Sequence, residues 1–505
     1  MDQKFGIKTR KEDNFTEWFL NVVKYSELID YHDIRGCYIM RPASMYIWNL
    51  IKESFDNKIK ELGVDECYFP MLVSKSHLEK EKEHLESFDP ELAWITKCGN
   101  SELQNPVAIR PTSETIIYPF FAKWLKTHRD LPLKINQWCN VLRWEVKSTL
   151  PFIRGREFLW QEGHTAHYTK KSAEEEVREI LETYRKIYED LLAVPVIAGV
   201  KSKEETFGGA EYTLSVEAFI PGTGKGVQGA TAHHLGQNFS KMFDIKVSDD
   251  VASETFSYVY QNCWGISTRS IGVLTMLHSD NKGFVSPPRV AHTQLMIIPC
   301  GITKSKTEDE KKNLYEYIEK VKFSLNEFRV KTDLRDNVTP GNKFNNCELK
   351  GIPLRIDVGF KDLKNNEVCL VRRDTCKKIQ INFNNIKDVV TNEINNMHND
   401  LFNKAKSDLE SRLVYLEDFD KILDVLNKKN IIKAPWCNET ECEISIKERT
   451  TIREGDLIIT QGAKTLCIPF DQSPNLIENS SSDKVCKCIG CDRKAKCYVI
   501  FGRSY

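Results

Sequence analysis

Apolar residues recur at intervals of three and four positions in several stretches of the chain, a spacing that predicts amphipathic helices. These stretches cover residues 15–29, the segment after Pro42, 172–193, 308–327 and 386–412. Pro42 favours a helix start, because the first turn of a helix does not need the N–H group that proline lacks. Ser172 and Glu175 have the spacing of a capping box, which predicts that the helix over 172–193 starts there. A highly charged stretch at 75–86 predicts one more helix, largely exposed to solvent.

Runs of β-type residues lie between these helices. Two runs within residues 137–160 flank a polar loop that ends at Pro151, and this arrangement predicts an antiparallel hairpin. Because side chains alternate between the faces of a strand, we expect Arg143 and Glu145 on one face. Further strands are predicted at 65–73, 194–202, 211–220 and 226–236.

The order of the predicted elements divides the chain into three parts. Pro287-Pro288 marks a boundary, and beyond residue 291 strands and helices alternate regularly, which predicts a compact α/β domain of about 100 residues. A long helix then leads into a cysteine-rich last part. We therefore expect domains at 1–288, 289–388 and 389–505, in a chain of the α/β (α+β) class.

Composition narrows the possibilities only a little. With 505 residues, of which 41% are hydrophobic and 29% charged, the chain is typical of globular proteins. The formal net charge is zero, so any contact with nucleic acid must come from local basic patches. The amino-terminal residues are polar, and no apolar run approaches the roughly 20 residues of a membrane span. We expect a cytoplasmic protein with no membrane segment.

Cysteines are concentrated in the last part of the chain. It holds seven of the sixteen, and without a secretory leader we expect reduced thiols. Cys437-x4-Cys442 and a later group of Cys486, Cys488 and Cys491 predict a structural zinc site, because tetrahedral Zn²⁺ takes four thiolates from two turns. Spacing alone favours Cys488 and Cys491 as the second pair, with Cys486 as a competitor.

Two pairs of polar residues on strands suggest ligand binding. Arg143 and Glu145 suit a nucleoside triphosphate, because arginine binds phosphate oxygens in a bidentate manner and the acid can accept from the adenine amine. The alternative is an ordinary surface salt bridge. His233 and His234 suggest a metal, but adjacent residues on a strand point to opposite faces and chelate poorly together.

Two helix starts carry further candidates. Thr112 and Glu114 can face a substrate amine, or the helix can simply begin here with Thr112, Ser113 or both as its cap. After Gly265, Arg269 stands at the start of an apolar helix. It can meet a phosphate or be an exposed arginine.

Three motifs, in order, resemble those of the class II aminoacyl-tRNA synthetases. The long helix opened by Pro42 resembles motif 1, which builds the dimer interface in that class. Arg-x-Glu at 143–145, a loop and Arg-Glu-Phe at 156–158 resemble motif 2, and 264–277 resembles motif 3, whose arginine contacts ATP. With RPTSE, WQEGH, TAHHLGQNF and the final FGRSY, the whole chain is similar to prolyl-tRNA synthetases of the archaeal and eukaryotic type.

The resemblance implies a class II antiparallel sheet flanked by helices, a mixed α/β anticodon-binding domain and a small α/β zinc-binding carboxyl-terminal domain, in a homodimer. It implies that L-proline is activated with ATP and Mg²⁺ and then transferred to the 3′ end of tRNA(Pro). No large insertion separates motifs 2 and 3, where bacterial enzymes hold an editing domain, so removal of mischarged alanine in cis is not expected. Because one methylene discriminates by only about 1–3 kcal/mol, we expect measurable activation of alanine or cysteine.

The same resemblance assigns roles to single residues. Arg143 would bind the α-phosphate and the proline carboxylate, and it would act in catalysis together with Arg269. Arg154 and Arg269 would hold the β and γ end of ATP, while Glu145 reads adenine and Phe158 stacks on it. The expected ATP-binding residues are Arg143, Glu145, Arg154, Phe158, Gln228, Thr231, Ser267 and Arg269. The expected proline-binding residues are Thr112, Glu114, Arg143, Trp160, Glu162, His164 and His233.

The resemblance also bears on the two later parts of the chain. In the family the second zinc pair is C-x-C, so the implied ligands are Cys437, Cys442, Cys486 and Cys488, with Cys491 as the alternative. Tyr505 is implied to fold back toward the catalytic domain. The basic residues that could contact tRNA are Lys343, Lys350, Arg355, Lys361, Arg372 and Arg373.

Three other interpretations compete with this one. A threonine-specific relative needs an active-site cysteine and histidine set for zinc, which the RPTSE segment does not supply. A catalytically inactive, RNA-binding relative is expected to lose the ATP arginines, and Arg143, Arg154 and Arg269 are all present. A zinc-dependent nucleic-acid module fits poorly with zero net charge and intact nucleotide motifs.

Overall fold

A computed structural model describes residues 6–75, 78, 91–249, 255–303, 305–455, 457–473 and 486–505. The charged helix predicted at 75–86 lies largely outside these residues. None of the helices in this described part of the chain has the length and the apolar character that a membrane span requires.

The first part of the chain combines helices with a long series of strands. Its helices are α1 (Phe15–Tyr25), α2 (Pro42–Glu61), α3 (Glu114–Trp124), α4 (Lys170–Lys186), α5 (Asn238–Met242) and α6 (Arg269–His278). Its strands are β1 (Ile29–Tyr31), β2 (Tyr38–Met40), β3 (Asp65–Glu66), β4 (Leu72–Ser74), β5 (Trp94–Cys98), β6 (Ser101–Ile109), β7 (Leu133–Leu142), β8 (Glu157–His167), β9 (Val196–Val200), β10 (Tyr212–Ile220), β11 (Lys225–Gly236), β12 (Lys246–Ser248), β13 (Phe256–Tyr258) and β14 (Tyr260–Ser267).

The second and third parts are smaller mixtures of the same kind. The second holds β15 (Leu295–Pro299), α7 (Glu308–Ser324), β16 (Val330–Thr332), α8 (Pro340–Leu349), β17 (Leu354–Val358), α9 (Phe360–Asn365), β18 (Glu367–Arg372) and β19 (Lys378–Asn382). The third holds α10 (Ile386–Arg412), β20 (Leu413–Tyr415), α11 (Ile422–Asn427), β21 (Ile431–Trp436), α12 (Thr440–Arg449), β22 (Ile452–Glu454), β23 (Leu457–Thr460), β24 (Lys464–Pro469) and β25 (Cys497–Ser504).

Eleven of these strands form one large sheet in the order β20-β21-β25-β24-β9-β10-β11-β14-β8-β7-β3. Neighbours from β24 to β7 are antiparallel, which confirms the predicted antiparallel sheet, and β7 with β8 forms the predicted hairpin. Strands β24 and β25 come from the third part of the chain, so the first and third parts share one sheet. The second part has its own mixed sheet, β16-β15-β17-β18-β19, as the alternating pattern predicted.

Helices α2 and α4 pack against the large sheet through their apolar faces. Phe55 of α2 stacks on Tyr184 of α4, with ring centroids 5.0 Å apart and planes within 7°. Gly163 of β8 lies directly opposite Trp264 of β14. A Cβ atom at Gly163 would lie 2.1 Å from the Trp264 ring, so this position requires glycine.

The start of α4 corrects one prediction. Thr169 caps the helix by accepting from the Ser172 N–H, and the helix begins at Lys170, one turn from the predicted Ser172–Glu175 capping box. The Ser172 hydroxyl instead lies 2.9 Å from His167 Nδ1. The Ser172 side chain therefore contacts His167 of β8 and does not cap the helix. A short sequence pattern could not indicate this contact. The α-helix ends at Lys186 and continues as a π-helical turn over Ile187–Leu191.

A buried polar network fixes α4 to the sheet through Glu176. Its carboxylate accepts from Thr165 at 2.5 Å and from Asn262 at 2.9 Å, lies 3.0 Å from His167 Nε2, and pairs with Lys134 at 3.3 Å. Burial alone would raise the pKa of Glu176, but the hydrogen bond and charge of His167, with the charge of Lys134, lower it to about 2.

This network predicts a specific acid instability. The folded-state pKa lies below the ordinary value of 4.5, so the stabilisation is present above that value and is lost as the pH falls toward 2. Glu176→Gln is expected to lower the free energy of unfolding at pH 7 by about 3 kcal/mol and to flatten its fall over that interval. Urea unfolding at a series of pH values measures both. The variant Glu179→Gln, at an exposed position of the same helix, serves as the control, and equal pH slopes for both variants would contradict the assignment.

Candidate functional site

A cleft of about 500 Å³ opens over the centre of the large sheet. It collects side chains from the start of α3, the β7–β8 hairpin, β11, β14 and the start of α6. The predicted residues that line it are Thr112, Glu114, Arg143, Glu145, Phe158, Trp160, Glu162, His164, Gln228, Thr231, His233, Ser267 and Arg269. Arg154 lines an adjoining cavity of about 170 Å³, which Gln228 and Arg269 also line.

Arg143 follows the last residue of β7 and is held by contacts on two sides. Its Nε donates to the carbonyl of Pro111 at 3.2 Å. Its guanidinium carbon lies 5.3 Å from the Phe158 ring centroid and 5.5 Å from that of Trp160. Burial lowers the pKa of Arg143, while nearby Glu145, Glu114 and Glu162 raise it. The result is a planar cation held beside two aromatic rings and suited to bind carboxylate or phosphate oxygens.

Arg269, the first residue of α6, contributes a second positive charge to the cleft. Its Nε donates to the carbonyl of Ile153 at 3.0 Å and its Nη1 to that of Gln228 at 3.1 Å. Burial and the like charges of Arg143 and Arg154 lower the pKa of Arg269. Three arginines that repel one another in a partly enclosed space favour a ligand with several negative charges, such as a triphosphate.

Glu162 organises the inner end of the cleft. It accepts from Ser113 Oγ at 2.5 Å and from Gln137 Nε2 at 2.6 Å, and its other oxygen lies 3.1 Å from His164 Nε2. Burial would raise the pKa of Glu162, but the hydrogen bond and charge of His164 and the Ser113 hydroxyl lower it. Tyr118 OH lies 3.1 Å from His164 Nδ1 and extends the chain of contacts.

The sequence did not point to Ser113, Gln137 or Tyr118 as site residues. Gln137 pairs directly with Glu162 across the hairpin, a relationship that depends on strand register. Ser113 was expected only as a helix cap. The spacing of nearby residues in the sequence indicates neither the pairing of Gln137 with Glu162 nor the contact of Ser113 with Glu162.

The start of α3 corrects the capping prediction. The helix begins at Glu114, as expected, but Ser113 at the cap position makes no side-chain capping hydrogen bond. Thr112 Oγ1 donates to Glu114 Oε2 at 2.5 Å. Thr112 and Glu114 line the cleft, where a hydroxyl and a carboxylate can both accept from a substrate ammonium, whereas Ser113 is buried and donates to Glu162.

His233 lines the cleft and is uncharged. Burial lowers its pKa to about 3, with the charge of His164 adding to the effect. Its Nδ1 lies 2.8 Å from Thr213 Oγ1, and its ring centroid lies 4.7 Å from that of Phe207, a lining residue that the sequence did not indicate. His234 bonds to Asn262 instead, at 2.9 Å. The two histidines therefore have separate partners.

Four cysteine thiols in the third part of the chain could hold a metal ion. Cys437, Cys442, Cys488 and Cys491 place their sulfur atoms within 4.8 Å of one another. Sulfur separations of 3.6 Å (Cys442–Cys488) and 3.7 Å (Cys437–Cys491) are close to the roughly 3.8 Å edge of a tetrahedron with Zn–S bonds of 2.3 Å. We call these residues the thiol cluster. Its chemistry and geometry fit zinc.

This grouping differs from the set implied by the family resemblance, because Cys491 replaces Cys486. Cys488 and Cys491 flank a turn in which the Gly490 N–H donates to Cys488 Sγ at 3.4 Å. Cys486 precedes the isolated bridge between Lys487 and Lys494, and its sulfur lies 4.0 Å from the Lys487 carbonyl. The turn therefore brings the C-x2-C pair to the cluster, as spacing alone had favoured.

Most of the basic residues expected to contact tRNA are already engaged within the protein. Lys343 is buried and donates to the Asp333 carbonyl. Arg355 pairs with Asp357, Arg372 with Asp374, Glu393 and Asp400, and Arg373 with Asp280. Lys350 forms an ion pair with Glu27 at 3.0 Å. Sequence alone cannot show which arginine or lysine has such an internal partner, and contact of these five residues with tRNA stays a prediction.

Tyr505 lies against the first part of the chain, as the resemblance implied. Its N–H donates to the Gly226 carbonyl at 3.2 Å, and its hydroxyl donates to Thr223 at 3.3 Å. It lines the same small cavity as Arg154 and Arg269.

Comparison with known proteins gives matches along the whole chain. Residues 96–278 match the family described as tRNA synthetase class II core domain (G, H, P, S and T), residues 294–393 an anticodon-binding domain, and residues 419–505 the prolyl-tRNA synthetase C-terminal family. The proline–tRNA ligase of Encephalitozoon cuniculi is 56% identical, over 100% of this chain and 99% of that one. The cytoplasmic proline–tRNA ligase of Arabidopsis thaliana is 48% identical, over 99% and 91%.

A solved structure agrees with these sequence matches. The crystal structure of prolyl-tRNA synthetase from Cryptosporidium parvum, complexed with halofuginone and AMPPNP, has a TM-score of 0.92 and 46% identity. The match covers 99% of this chain and 100% of that one.

Proposed function

Since the chain belongs to the prolyl-tRNA synthetases, class II enzymes that activate proline with ATP and charge tRNA, we propose that its central cleft binds both small substrates. The observation that carries the proposal is the convergence of residues from five separate elements on one cavity. In this arrangement ATP lies over Phe158 with its phosphates toward Arg143, Arg154 and Arg269. Proline occupies the inner end near Glu162.

The proline end of the cleft is suited to a small secondary ammonium. Thr112 and Glu114 accept its two N–H bonds, and Arg143 binds its carboxylate. Trp160, His164 and the uncharged His233 surround the ring. Because Glu162 is held by Ser113, Gln137 and His164, its carboxylate is fixed before the substrate arrives, which lowers the cost of ordering on binding.

Proline activation in this cleft depends mainly on positioning and charge. The proline carboxylate attacks the α-phosphorus in line, the bond to the bridging oxygen breaks, and pyrophosphate leaves with the electron pair. Arg143 contacts both the carboxylate and the α-phosphate, so it holds the reacting groups together and stabilises the charge that develops. Arg154 and Arg269 stabilise the leaving pyrophosphate.

Mg²⁺ is compatible with the polyphosphate end of the cleft. It keeps several waters and takes phosphate oxygens as ligands, so it does not need a dedicated protein cage. When bound, it neutralises phosphate charge. Zn²⁺ would be held by Cys437, Cys442, Cys488 and Cys491 and would stabilise the third part of the chain.

Paired substitutions test the division of the cleft into two halves. Glu114→Gln is expected to raise the KM for proline by about tenfold and leave that for ATP nearly unchanged, because it weakens a hydrogen bond to an ammonium. Phe158→Leu is expected to raise the KM for ATP and leave that for proline nearly unchanged, since it removes a stacking surface for adenine worth about 1–3 kcal/mol. Pyrophosphate exchange with one substrate varied at a time gives both constants. Equal effects of both variants on both constants would refute the two-half arrangement.

We also propose a homodimer that forms through an exposed apolar face around Phe69. This apolar face consists of Tyr68, Met71, Leu72, Trp94, Phe120 and Trp124, all more than a third exposed. Phe69 packs against the rings of Phe120 and Trp124 at 6.3 and 6.0 Å, which joins the two sides of the face. The apolar stripe of α2, the helix of motif 1, packs instead on its own sheet.

A charge in the apolar face is expected to separate the subunits. Tyr68→Asp should shift the mass measured by light scattering from dimer toward monomer, because an exposed apolar patch of this kind marks a protein interface. The control is Phe323→Asp, since Phe323 is similarly exposed on α7 in the second part. A Tyr68→Asp protein that stays dimeric at low micromolar concentration would contradict the interface.

We propose a cytoplasmic location, because the similar Arabidopsis protein is a cytoplasmic proline–tRNA ligase. Transfer of proline to the terminal adenosine of tRNA(Pro) follows from the family, and the part that matches an anticodon-binding domain supplies the second RNA contact. The retained arginines Arg143, Arg154 and Arg269 favour an active enzyme over an inactive RNA-binding relative.

A further inference from the structure

Residues 201–207, which we call the junction segment, link the third part of the chain to the cleft. At one end, Lys201 is buried and its Nζ donates to Glu217 at 3.0 Å and to the Leu466 carbonyl at 2.7 Å. The Ser202 hydroxyl lies 3.0 Å from a carboxylate oxygen of Glu443 and 3.0 Å from Thr465 Oγ1. Two successive side chains are thus anchored on the third part.

The middle of the junction segment has another contact of this kind. Glu205 accepts from Lys464 Nζ at 2.9 Å, and its own N–H donates to Ser202 Oγ at 3.3 Å. Glu205 lines both the cleft and the adjoining cavity. Lys464 of β24 therefore holds a carboxylate that lines the cleft.

The far end of the junction segment forms part of the amino-acid end of the cleft. The Phe207 N–H donates to Thr213 Oγ1 at 3.1 Å, and the same oxygen lies 2.8 Å from His233 Nδ1. The rings of Phe207 and His233 are 4.7 Å apart. A displacement of the junction segment would therefore move the wall against which the proline ring is proposed to rest.

The third part of the chain connects these contacts to the thiol cluster. Glu443 is buried in α12 and directly follows Cys442, one of the four thiols. Its carboxylate is bonded to both Ser202 and Thr465. The helix that supplies a cluster thiol thus also holds the junction segment.

We propose that the third part of the chain is a positioning element for proline binding, acting through the contacts of Lys464 with Glu205 and of Glu443 with Ser202. This inference rests on the proposed proline site. Lys464, Ser202 and Glu443 are positioning residues, because they act on the pocket through the junction segment. Loss of either contact weakens proline binding and leaves ATP binding nearly unchanged.

The ion pair is tested with a double-substitution cycle on the full-length enzyme. Lys464→Met is expected to raise the Kd for L-proline, measured by calorimetry, by about two- to fivefold, the range of partly exposed ion pairs. Lys464→Arg should restore the wild-type value. In a protein that already carries Glu205→Gln, adding Lys464→Met should not raise the Kd for L-proline any further. The Kd for AMPPNP is expected to stay constant, and Lys428→Met, which breaks a surface pair with Asp424 in the same part, should change neither constant.

The buried contact provides a second, independent measurement. Ser202→Ala is expected to raise the Kd for proline by about tenfold, because a buried carboxylate loses a donor. Ser202→Thr, which keeps the hydroxyl, should restore most of the affinity.

Three results would overturn the proposal. Lys464→Met and Ser202→Ala could both leave the proline Kd unchanged, or the losses in the Lys464–Glu205 cycle could be additive. AMPPNP binding could also weaken as much as proline binding.

Glu114→Gln, measured in parallel, distinguishes failure of the proposed proline site from failure of the positioning role. If it fails to weaken proline binding, the proline site itself is misplaced and the positioning role falls with it; if it weakens binding while the junction variants do not, only the positioning role fails.

Discussion

Replacing Arg143 with alanine is expected to lower the kcat/KM of proline-dependent pyrophosphate exchange by about a hundredfold to a thousandfold. Arg143 lies beside Trp160 and is close enough to Arg269 for their charges to interact, so its fork is proposed to contact the proline carboxylate and the α-phosphate together. Removing it takes away both the alignment of the reacting groups and the cation that stabilises the new charge. Most of the loss should appear in kcat, because the contact with the α-phosphate strengthens as the reaction proceeds.

Two control variants make this measurement specific. Arg143→Lys keeps the charge but loses the planar fork, and it should recover only part of the activity. Arg156→Ala removes an arginine of the same hairpin whose guanidinium lies 4.5 Å from the Trp144 ring and donates to Val146. It should retain activity within a few-fold of wild type. Similar losses in Arg143→Ala and Arg156→Ala would indicate damage to the hairpin and no specific role for Arg143.

Cys491→Ser is expected to remove zinc from the protein, whereas Cys486→Ser should leave it bound. A structural zinc site has four protein ligands. Replacing a residue that only supports a ligand already lowers the affinity for the metal by about ten- to a hundredfold. Loss of a direct ligand should therefore weaken binding by at least about a hundredfold. The apparent unfolding temperature of Cys491→Ser should fall as well, because the cluster joins β21, α12 and the turn around Gly490.

Elemental analysis of the purified variants by mass spectrometry decides between the two cysteines. The wild type and Cys486→Ser should each hold about one zinc ion per chain, and Cys491→Ser almost none. Zinc retained by Cys491→Ser and lost by Cys486→Ser would favour the C-x-C set of the family resemblance. A wild-type protein that binds no zinc after reconstitution would contradict a metal role for the thiol cluster.

Local patterns predicted the elements of the fold well where a short stretch contains all the information. The hairpin around Arg143 follows from two β-type runs and a proline, and α10 begins and ends at the predicted residues 386 and 412. The candidate substrate residues also come together, although they were assigned by resemblance to a family and not by spacing. The resemblance supplied what the residues alone left open.

Features that depend on distant partners could not be predicted. Gln137 supports Glu162 only because the hairpin register places them opposite each other. Arg372 looks available for RNA in the sequence, yet three acidic side chains surround it in the structure. The union of β24 with β9 joins residues more than 260 positions apart, and no pattern of apolar residues specifies that pairing.

The most direct test of the central claim is amino-acid-dependent ATP–pyrophosphate exchange, measured with each of the twenty amino acids on the folded, zinc-loaded enzyme. We expect proline to give by far the highest kcat/KM, with alanine or cysteine detectable but lower, because a small ring pocket excludes a smaller side chain by only about 1–3 kcal/mol. Another amino acid that equals or exceeds proline, or no exchange from a correctly folded protein, would contradict it.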